Sequence, residues 1–155
     1  MLDTPTLQTQ QSMHLHSVFS KSFKSISEHA VTGIKTAGFN PTAFAVMEVL
    51  YHKGQQPIQQ VGAKLLLQSG NVTYVIDKLE SKGYLYRQPC PQDRRIIYAD
   101  LTPEGRRVMD EIYPSYTRQI DRAFSGISED EKETLIRLLK KLGRSAENLA
   151  AGSHK

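Results

Sequence analysis

The sequence contains few of the residues that cross-link a fold. Only one of its 155 residues, Cys90, is a cysteine, so an internal disulfide and a cysteine-based zinc cage are both excluded. No apolar run approaches the roughly 18 residues that span a bilayer. The opening segment, MLDTPTLQTQQS, lacks the basic and apolar regions of a secretory signal. These absences predict a cytoplasmic protein with no membrane partner.

The sequence also lacks the motifs that most enzymes and metal sites need. It has no glycine-rich phosphate loop, and no cysteine and histidine arranged as nucleophile and base with a third orienting group. His14 and His16 are two residues apart, which puts them on different sides of a helix, and the other histidines have no ligand-type neighbour at metal-binding spacing. We therefore predict a protein that is not an enzyme and that holds no metal ion and no cofactor.

The composition instead indicates one compact domain with a local excess of positive charge. A length of 155 residues, of which 39% are hydrophobic and 23% are charged, is ordinary for a globular domain. The net charge is +4, and the basic residues between Lys64 and Arg107 are interleaved with acidic ones. A patterned basic region of this kind permits binding to a polyanion such as DNA.

Apolar residues at helical spacing predict two helices in the N-terminal part of the chain. After a polar segment, 1–12, that we expect to be flexible, the spacing from Met13 to Gly38 predicts one long amphipathic helix. Asn40 is a favourable N-cap for a second helix, Pro41–Lys53, and Gly54 is a typical helix terminator.

The middle of the chain predicts two short helices followed by a β-hairpin. Pro57 is expected to open the third helix, and Ser69 to cap the fourth, near Gly70–Lys82. The inward face of that fourth helix consists of Val72, Val75, Ile76 and Leu79. Two β-prone runs, 84–87 and 96–101, flank a basic tip bounded by prolines. Helix, turn, helix and hairpin in this order are the layout of a winged helix-turn-helix, whose second helix enters the major groove of DNA.

Two further helices are predicted to begin near Pro103 and Ser128. The outer helices carry more apolar surface than a small helical head can cover, so we expect them to pack against a second copy of the chain. The predicted fold class is mainly α with a small β-hairpin wing, a winged helix-turn-helix with N- and C-terminal dimerisation helices. The predicted segments are dimerisation helices at 13–37 and 103–148, a DNA-binding lobe at 38–102 and a flexible tail at 149–155.

The most specific motif lies in the predicted wing. Asp93–Arg94–Arg95 precedes Leu101–Thr102–Pro103–Glu104–Gly105 within the longer stretch GNVTYVIDKLESKGYLYRQPCPQDRRIIYADLTPEG. This stretch, within the segment from Gly38 to Tyr116, resembles the MarR family of bacterial regulators. The resemblance implies a homodimeric repressor that binds a pseudo-palindromic operator in double-stranded DNA and is released by an effector. It also implies that Arg95 enters the minor groove and that Asp93 orients its guanidinium.

The predicted contact residues fall into four groups. Candidate base-edge and phosphate contacts on the fourth helix are Ser69, Gly70, Asn71, Thr73, Tyr74 and Lys78. Candidate contacts to the DNA backbone are Gln59, Gln60, Lys64 and Arg87. The wing group is Asp93, Arg94 and Arg95. By the family resemblance, a pocket for a small ligand between the dimerisation helices and the DNA-binding lobe is lined by His29, Met47 and Tyr51.

Cys90 stands beside the wing, between Pro89 and Pro91. The run Pro-Cys-Pro-x-Asp-Arg-Arg, together with YHKGQQPIQQVG and LLLQSGNVTYVIDKLE, is similar to the MhqR-type branch of the family, which is associated with quinone-like and phenolic electrophiles. The resemblance implies an effector of that kind. Two readings of Cys90 stay open, a redox or electrophile sensor and an inert thiol.

One alternative to a DNA-binding regulator is a winged-helix module that binds another protein and no DNA. The wing sequence distinguishes a DNA-binding regulator from such a module, because a module that binds only protein has no need of an arginine oriented by an aspartate.

Overall fold

The computed structural model describes residues 6–152 of the chain. Residues through Ile120 form one compact unit, and those from Asp121 onward form a second. Within the described residues, no helix is long and apolar enough to cross a membrane. The elements are α1 (Leu7–Thr36), α2 (Pro41–Lys53), β1 (Gln56–Pro57), α3 (Ile58–Lys64), α4 (Ser69–Ser81), β2 (Leu85–Pro89), β3 (Ile97–Leu101), α5 (Pro103–Ala123) and α6 (Glu129–Gly152). The predicted class, mainly α with a small β-hairpin, is confirmed.

Helix α1 begins at Leu7, so the predicted start at Met13 is wrong. The Thr6 hydroxyl caps the helix by accepting a hydrogen bond from the Thr9 amide at 3.2 Å. The added turn is rich in glutamine, a good helix former that leaves no apolar periodicity to detect.

At the other end of the chain, α6 runs to Gly152, so the predicted flexible tail is helical from residue 149 to 152. Residues 1–5 and 153–155 of the predicted flexible segments lie outside the described residues.

Helix α2 has the predicted bounds because both of its ends are determined by local chemistry. The Asn40 side-chain oxygen accepts hydrogen bonds from the amides of Thr42 and Ala43 at 2.9 and 3.2 Å. Pro41 occupies the first turn, where its missing N–H is not needed. The helix ends at Gly54, whose φ of +68° lies in the left-handed region that glycine adopts at low cost.

The helix pair α3–α4 differs from prediction at both of its starts. Pro57 belongs to strand β1 and directly precedes α3 as its cap residue. The residue before α4 is Gln68, which makes no side-chain capping hydrogen bond, so Ser69 is the first residue of the helix and not its cap. The two helices pack closely at Gly62. A Cβ on this residue would lie 2.7 Å from Val72 Cγ2, which is too short for a normal contact. Glycine at position 62 therefore sets the spacing between α3 and α4.

The three strands form an antiparallel sheet in the order β1-β3-β2. Leu85 pairs with Leu101 at one end of the hairpin, and Pro89 pairs with Ile97 at the other. The predicted strands at 84–87 and 96–101 are thus shifted by one or two residues. The prediction missed β1, since two residues are too few to produce a recognisable pattern.

The hydrophobic core lies among α2, α4, the sheet and the first half of α5. Val72, Ile76 and Leu79 of α4 are buried as predicted, whereas Val75 is only half-buried. The largest fully enclosed side chains in the core are Phe44, Met47, Leu50, Ile76, Leu79, Leu85 and Met109. One face of α4 is thereby fixed against α2 and the sheet, which leaves the opposite face in solvent.

The junction before α5 ties the wing to the helical core. The Thr102 hydroxyl donates a hydrogen bond to the Gly83 carbonyl at 2.6 Å and accepts one from the Gly105 amide at 3.0 Å. The Thr102 amide donates to the Tyr84 carbonyl at 3.0 Å. A Cβ on Gly105 would lie 1.9 Å from the Tyr84 carbonyl oxygen, so no other residue fits there without displacement. In the motif Leu-Thr-Pro-Glu-Gly, Thr102 therefore serves through its hydrogen bonds and Gly105 through its lack of a side chain.

In the second unit, a reciprocal capping box begins α6 as predicted. The Ser128 amide donates to Glu131 Oε2 at 2.8 Å, and the Glu131 amide donates to the Ser128 hydroxyl at 3.3 Å. The helix presents a row of exposed apolar side chains at helical spacing, namely Leu135, Leu138, Leu139 and Leu142. Each of these four side chains is more than one third exposed among the described residues.

We predict that Gly105→Ala lowers the free energy of unfolding by at least about 2 kcal/mol, because the new methyl group must displace the Tyr84 carbonyl. Chemical denaturation of the purified variant measures the change. Gly70→Ala is the matched control, since a Cβ at Gly70 has open space around it. Equal stability of the two variants would contradict the proposed close contact.

Candidate nucleic-acid interface

The solvent-facing side of α4 is polar and carries most of the predicted helix contacts. Asn71, Thr73, Tyr74 and Lys78 are all exposed, on the side opposite the buried Val72, Ile76 and Leu79. The Lys78 ammonium lies 5.6 Å from the centre of the Tyr74 ring, within the range of a cation–π contact. The surface thus offers an amide, an aromatic ring and a cation in one row, Asn71, Tyr74 and Lys78, and the Thr73 hydroxyl on the side nearer the hairpin.

The start of α4 is open to an anion. Ser69 and Gly70 are exposed, and no side chain caps the first turn. The Thr73 hydroxyl donates back to the Ser69 carbonyl at 3.1 Å, which holds the threonine side chain against the helix. Uncapped amides at a helix N-terminus, with the positive end of the helix dipole, suit a phosphate oxygen.

The tip of the hairpin holds Arg95 in a fixed orientation. Arg95 Nε donates to Asp93 Oδ1 at 3.0 Å, and Arg95 Nη2 donates to Asp93 Oδ2 at 2.9 Å. The Arg95 amide also donates to Asp93 Oδ1 at 3.0 Å, so the carboxylate grips both the backbone and the side chain of Arg95. The Arg95 side chain is nevertheless 90% exposed, against 33% for Asp93. The guanidinium is therefore oriented and still accessible.

These hydrogen bonds stabilise the charged form of both groups. The side-chain and backbone hydrogen bonds from Arg95 lower the pKa of the Asp93 carboxyl. The hydrogen bond to Asp93 raises the pKa of the Arg95 guanidinium. Arg94 is exposed at the same tip, so it adds positive charge beside the pair.

Cys90 is placed at the base of the tip and not at its surface. Its amide donates to the Ile96 carbonyl at 2.9 Å, which closes the loop around the Asp93–Arg95 pair. The residue is 8% exposed, and its thiol donates to Gln92 Oε1 at 3.2 Å. The sulfur is therefore largely shielded from solvent.

The predicted contacts to the DNA backbone divide into free and engaged side chains. Gln59 and Gln60 are exposed on α3. Lys64 Nζ donates to Gln56 Oε1 at 3.1 Å, which leaves its charge unpaired by any acid in the described residues. Arg87, in contrast, forms ion pairs with Asp77 and Glu80 of α4. The prediction missed these two acidic partners, because only the fold brings β2 against α4.

A cleft of about 500 Å³ separates the start of α4 from the hairpin. Gln59, Ser69, Thr73, Arg87 and Arg95 line it together with apolar residues of α3 and β3. The structure therefore brings together contacts that were predicted from three separate segments of the sequence.

The three residues of the predicted ligand pocket lie in different environments. Met47 is fully enclosed in the core, and His29 is exposed on α1. Tyr51 is half-buried, and its hydroxyl donates to Asp110 Oδ1 at 2.6 Å. Next to it, His52 Nε2 and the Tyr113 hydroxyl are hydrogen-bonded at 2.8 Å, a contact between α2 and α5 that the sequence did not indicate.

Comparison with known proteins places this geometry in a family. The family model described as "MarR family" matches residues 39–97, which include α2 to the start of β3. The uncharacterized HTH-type transcriptional regulator YkoM of Bacillus subtilis strain 168 is 52% identical over 142 residues, which cover 92% of each chain. The HTH-type transcriptional regulator MhqR of the same strain is 45% identical over 138 residues, which cover 89% of this chain and 95% of that protein.

A solved structure shows the same fold. Sco3205, a MarR family transcriptional regulator from Streptomyces coelicolor crystallised in complex with DNA, superposes with a TM-score of 0.78 at 16% identity and covers 92% of this chain and 94% of that one. The relatives share sequence over nearly the whole chain, and the fold neighbour shares its architecture. The chain therefore belongs to the MarR family of DNA-binding transcriptional regulators.

Proposed function

We propose that the chain acts in the bacterial cytoplasm as a homodimeric repressor that binds a pseudo-palindromic operator. Each protomer inserts α4 into a major groove, with the two grooves about 34 Å apart, and inserts Arg95 into the flanking minor groove. The observation that carries the proposal is the Arg95 guanidinium, which Asp93 holds through two hydrogen bonds and which is still 90% exposed.

The Asp93–Arg95 pair suits a minor groove for electrostatic and entropic reasons. A narrow minor groove concentrates negative potential, which attracts a guanidinium. A side chain that is already ordered loses less conformational freedom when it inserts. An exposed ion pair contributes little to folding, so its stability alone does not account for so complete a hydrogen-bond arrangement. These points support a role for the wing tip in binding.

The α4 surface supplies the chemistry for reading bases. An asparagine such as Asn71 can pair with adenine, and a lysine such as Lys78 can pair with guanine, at the edges exposed in the major groove. We assign contacts with the phosphates of the DNA backbone to two places. One is the uncapped first turn of α4, at Ser69 and Gly70, and the other is the set of exposed side chains Gln59, Gln60 and Lys64. Thr73 and Tyr74 complete the proposed surface.

The protein-binding alternative and an enzymatic role have weaker support. A winged helix that binds only protein needs no carboxylate-held arginine at its tip. The relatives YkoM and MhqR are transcriptional regulators by name. Regulation of transcription is therefore the function that both the geometry and the relatives support.

We predict that Arg95→Ala weakens operator binding about 5- to 150-fold without a change in the free energy of unfolding. Arg94→Ala is the matched control, because it removes the same charge from the same tip without breaking the pair with Asp93. Fluorescence anisotropy at matched salt measures both affinities. The assignment of Arg95 is wrong if Arg95→Ala binds the operator as tightly as the wild-type protein does.

The proposed dimer uses the apolar faces that α1 and α6 leave unpaired. On α1, Val18, Phe19 and Phe23 are exposed, and the rings of Phe19 and Phe23 stack with centroids 6.4 Å apart. On α6 the exposed row is Leu135, Leu138, Leu139 and Leu142. Exposed apolar rows of this length are typical of surfaces that bury against another chain.

We predict that the double variant Phe19→Glu/Phe23→Glu is monomeric and loses high-affinity operator binding, because it places two charges in the proposed interface. Sedimentation velocity measures the oligomeric state. Lys21→Glu is the control, since it changes charge on the same helix without removing an apolar side chain. A variant that stays dimeric would exclude this part of α1 from the interface.

We further propose that a small phenolic or quinone-like effector releases the operator by favouring a dimer whose α4 spacing no longer fits. The basis for this class of effector is the resemblance of the run Pro-Cys-Pro-x-Asp-Arg-Arg to the MhqR-type branch of the family. The placement of Cys90, which is 8% exposed and hydrogen-bonded, supports a bound ligand over direct reaction at the thiol. Of the three predicted lining residues, His29 and Tyr51 are accessible to such a ligand, whereas Met47 is enclosed in the core and could support the site only from behind.

We predict that hydroquinone under anaerobic conditions releases the operator from the wild-type protein and from Cys90→Ser to the same extent. A phenol without an electrophilic carbon cannot alkylate a thiol, so release by hydroquinone requires noncovalent binding. Electrophoretic mobility shift measures the release, and 1,4-benzoquinone serves as the electrophilic comparison. Release by benzoquinone alone, abolished in Cys90→Ser, would instead establish thiol sensing.

A further inference from the structure

Arg87 of β2 lies against α4 and is engaged by two of its acidic residues. Arg87 Nη2 pairs with Asp77 Oδ1, and Arg87 Nη1 lies 3.4 Å from Glu80 Oε2. The Arg87 side chain is only 28% exposed, and its Nε is buried without a hydrogen-bond partner among the described residues. The guanidinium is therefore partly buried between the hairpin and α4, beside the cleft that Arg87 helps to line.

The two acids stand where a negative charge is unfavourable for DNA binding. Asp77 follows Thr73 by one helical turn on the exposed side of α4 and is itself 55% exposed. Glu80 is the penultimate residue of the helix and is also partly exposed. A helix that enters a major groove is flanked by phosphates, so two uncompensated carboxylates there would repel the DNA.

We propose that Arg87 is a positioning residue that acts through Asp77 and Glu80 and does not itself contact a phosphate. It neutralises the acidic side of α4 from within the protein and joins that side to the wing strand. This inference rests on the proposed DNA-binding function, and it replaces the phosphate contact that the sequence suggested for Arg87.

The geometry separates this role from that of a phosphate contact. The Arg95 side chain, which we propose to contact DNA, is 90% exposed, whereas that of Arg87 is 28% exposed. The two Nη atoms of Arg87 are directed to the carboxylates instead. Moving the side chain outward would leave Asp77 and Glu80 unpaired beside the DNA.

A double-mutant cycle tests the proposal. The variants are Arg87→Met, Asp77→Asn/Glu80→Gln, and all three changes together, each matched in shape to the residue it replaces. The probe is a DNA duplex that the wild-type protein selects from a randomised library. Affinity is measured by fluorescence anisotropy from about 0.05 to 0.2 M salt. Thermal unfolding of each variant checks that it is folded.

We expect Arg87→Met to weaken binding at least about tenfold at low salt. The triple variant is expected to bind within about threefold of wild type, with an unchanged dependence of affinity on salt. Arg87→Lys keeps a cation near both acids and is expected to retain most of the affinity. This variant also covers the case in which Arg87→Met fails to fold.

Two results would overturn the proposal. If Arg87 contacts a phosphate, the loss is the same whether or not the acids are present, and the salt slope of the triple variant falls by about 0.9. Additive losses with that slope would exclude the positioning role while leaving DNA binding by the wild type intact. Failure of the wild-type protein to select any duplex would instead refute the proposed function itself, and the role of Arg87 with it.

Discussion

The close contact between Gly105 and the Tyr84 carbonyl is the constraint on which the rest of the DNA-binding lobe depends. At this point the end of α4, the first strand of the hairpin and the start of α5 meet within one hydrogen-bond network centred on Thr102. Because Gly105 has no side chain, the backbone at Tyr84, just before the hairpin, can pack directly against the first turn of α5. The direction of the wing and the direction of α4 are consequently fixed together, which a surface that reads two grooves at once requires.

A second close contact, between α3 and α4, fixes the orientation of α4 in the same way. Gly62 allows α3 to approach Val72 of α4, so the exposed side of α4 is set by packing on its buried side. The two glycines lie at different ends of the lobe and both act by lacking a side chain. The polar residues of α4 and the wing tip can then vary without disturbing the arrangement that presents them.

The sequence was most informative where structure is determined locally. The bounds of α2 and the capping box of α6 were predicted correctly, because an N-cap or a terminal glycine acts within a few residues. The Asp93–Arg95 pair was expected from the resemblance to the MarR family, and its members are only two residues apart. The predicted start of α1 was wrong because Leu7 is the only apolar residue of the helix before Met13 and forms no periodic pattern, and β1 was missed because it is two residues long. The pairing of Arg87 with Asp77 and Glu80 depends on the hairpin folding back over α4, which no local pattern reveals.

The fixed plane of the Arg95 guanidinium has a consequence for the kind of information that the wing can read. In the minor groove, A·T and T·A pairs present the same acceptors, whereas a G·C pair adds an amino group that narrows the available space. An arginine held by its own carboxylate responds to the width and the potential of the groove and hardly to the order of bases within an A·T run. In the proposed complex, the operator positions beneath the wings would therefore be constrained in base composition, while those beneath α4 would be constrained in sequence.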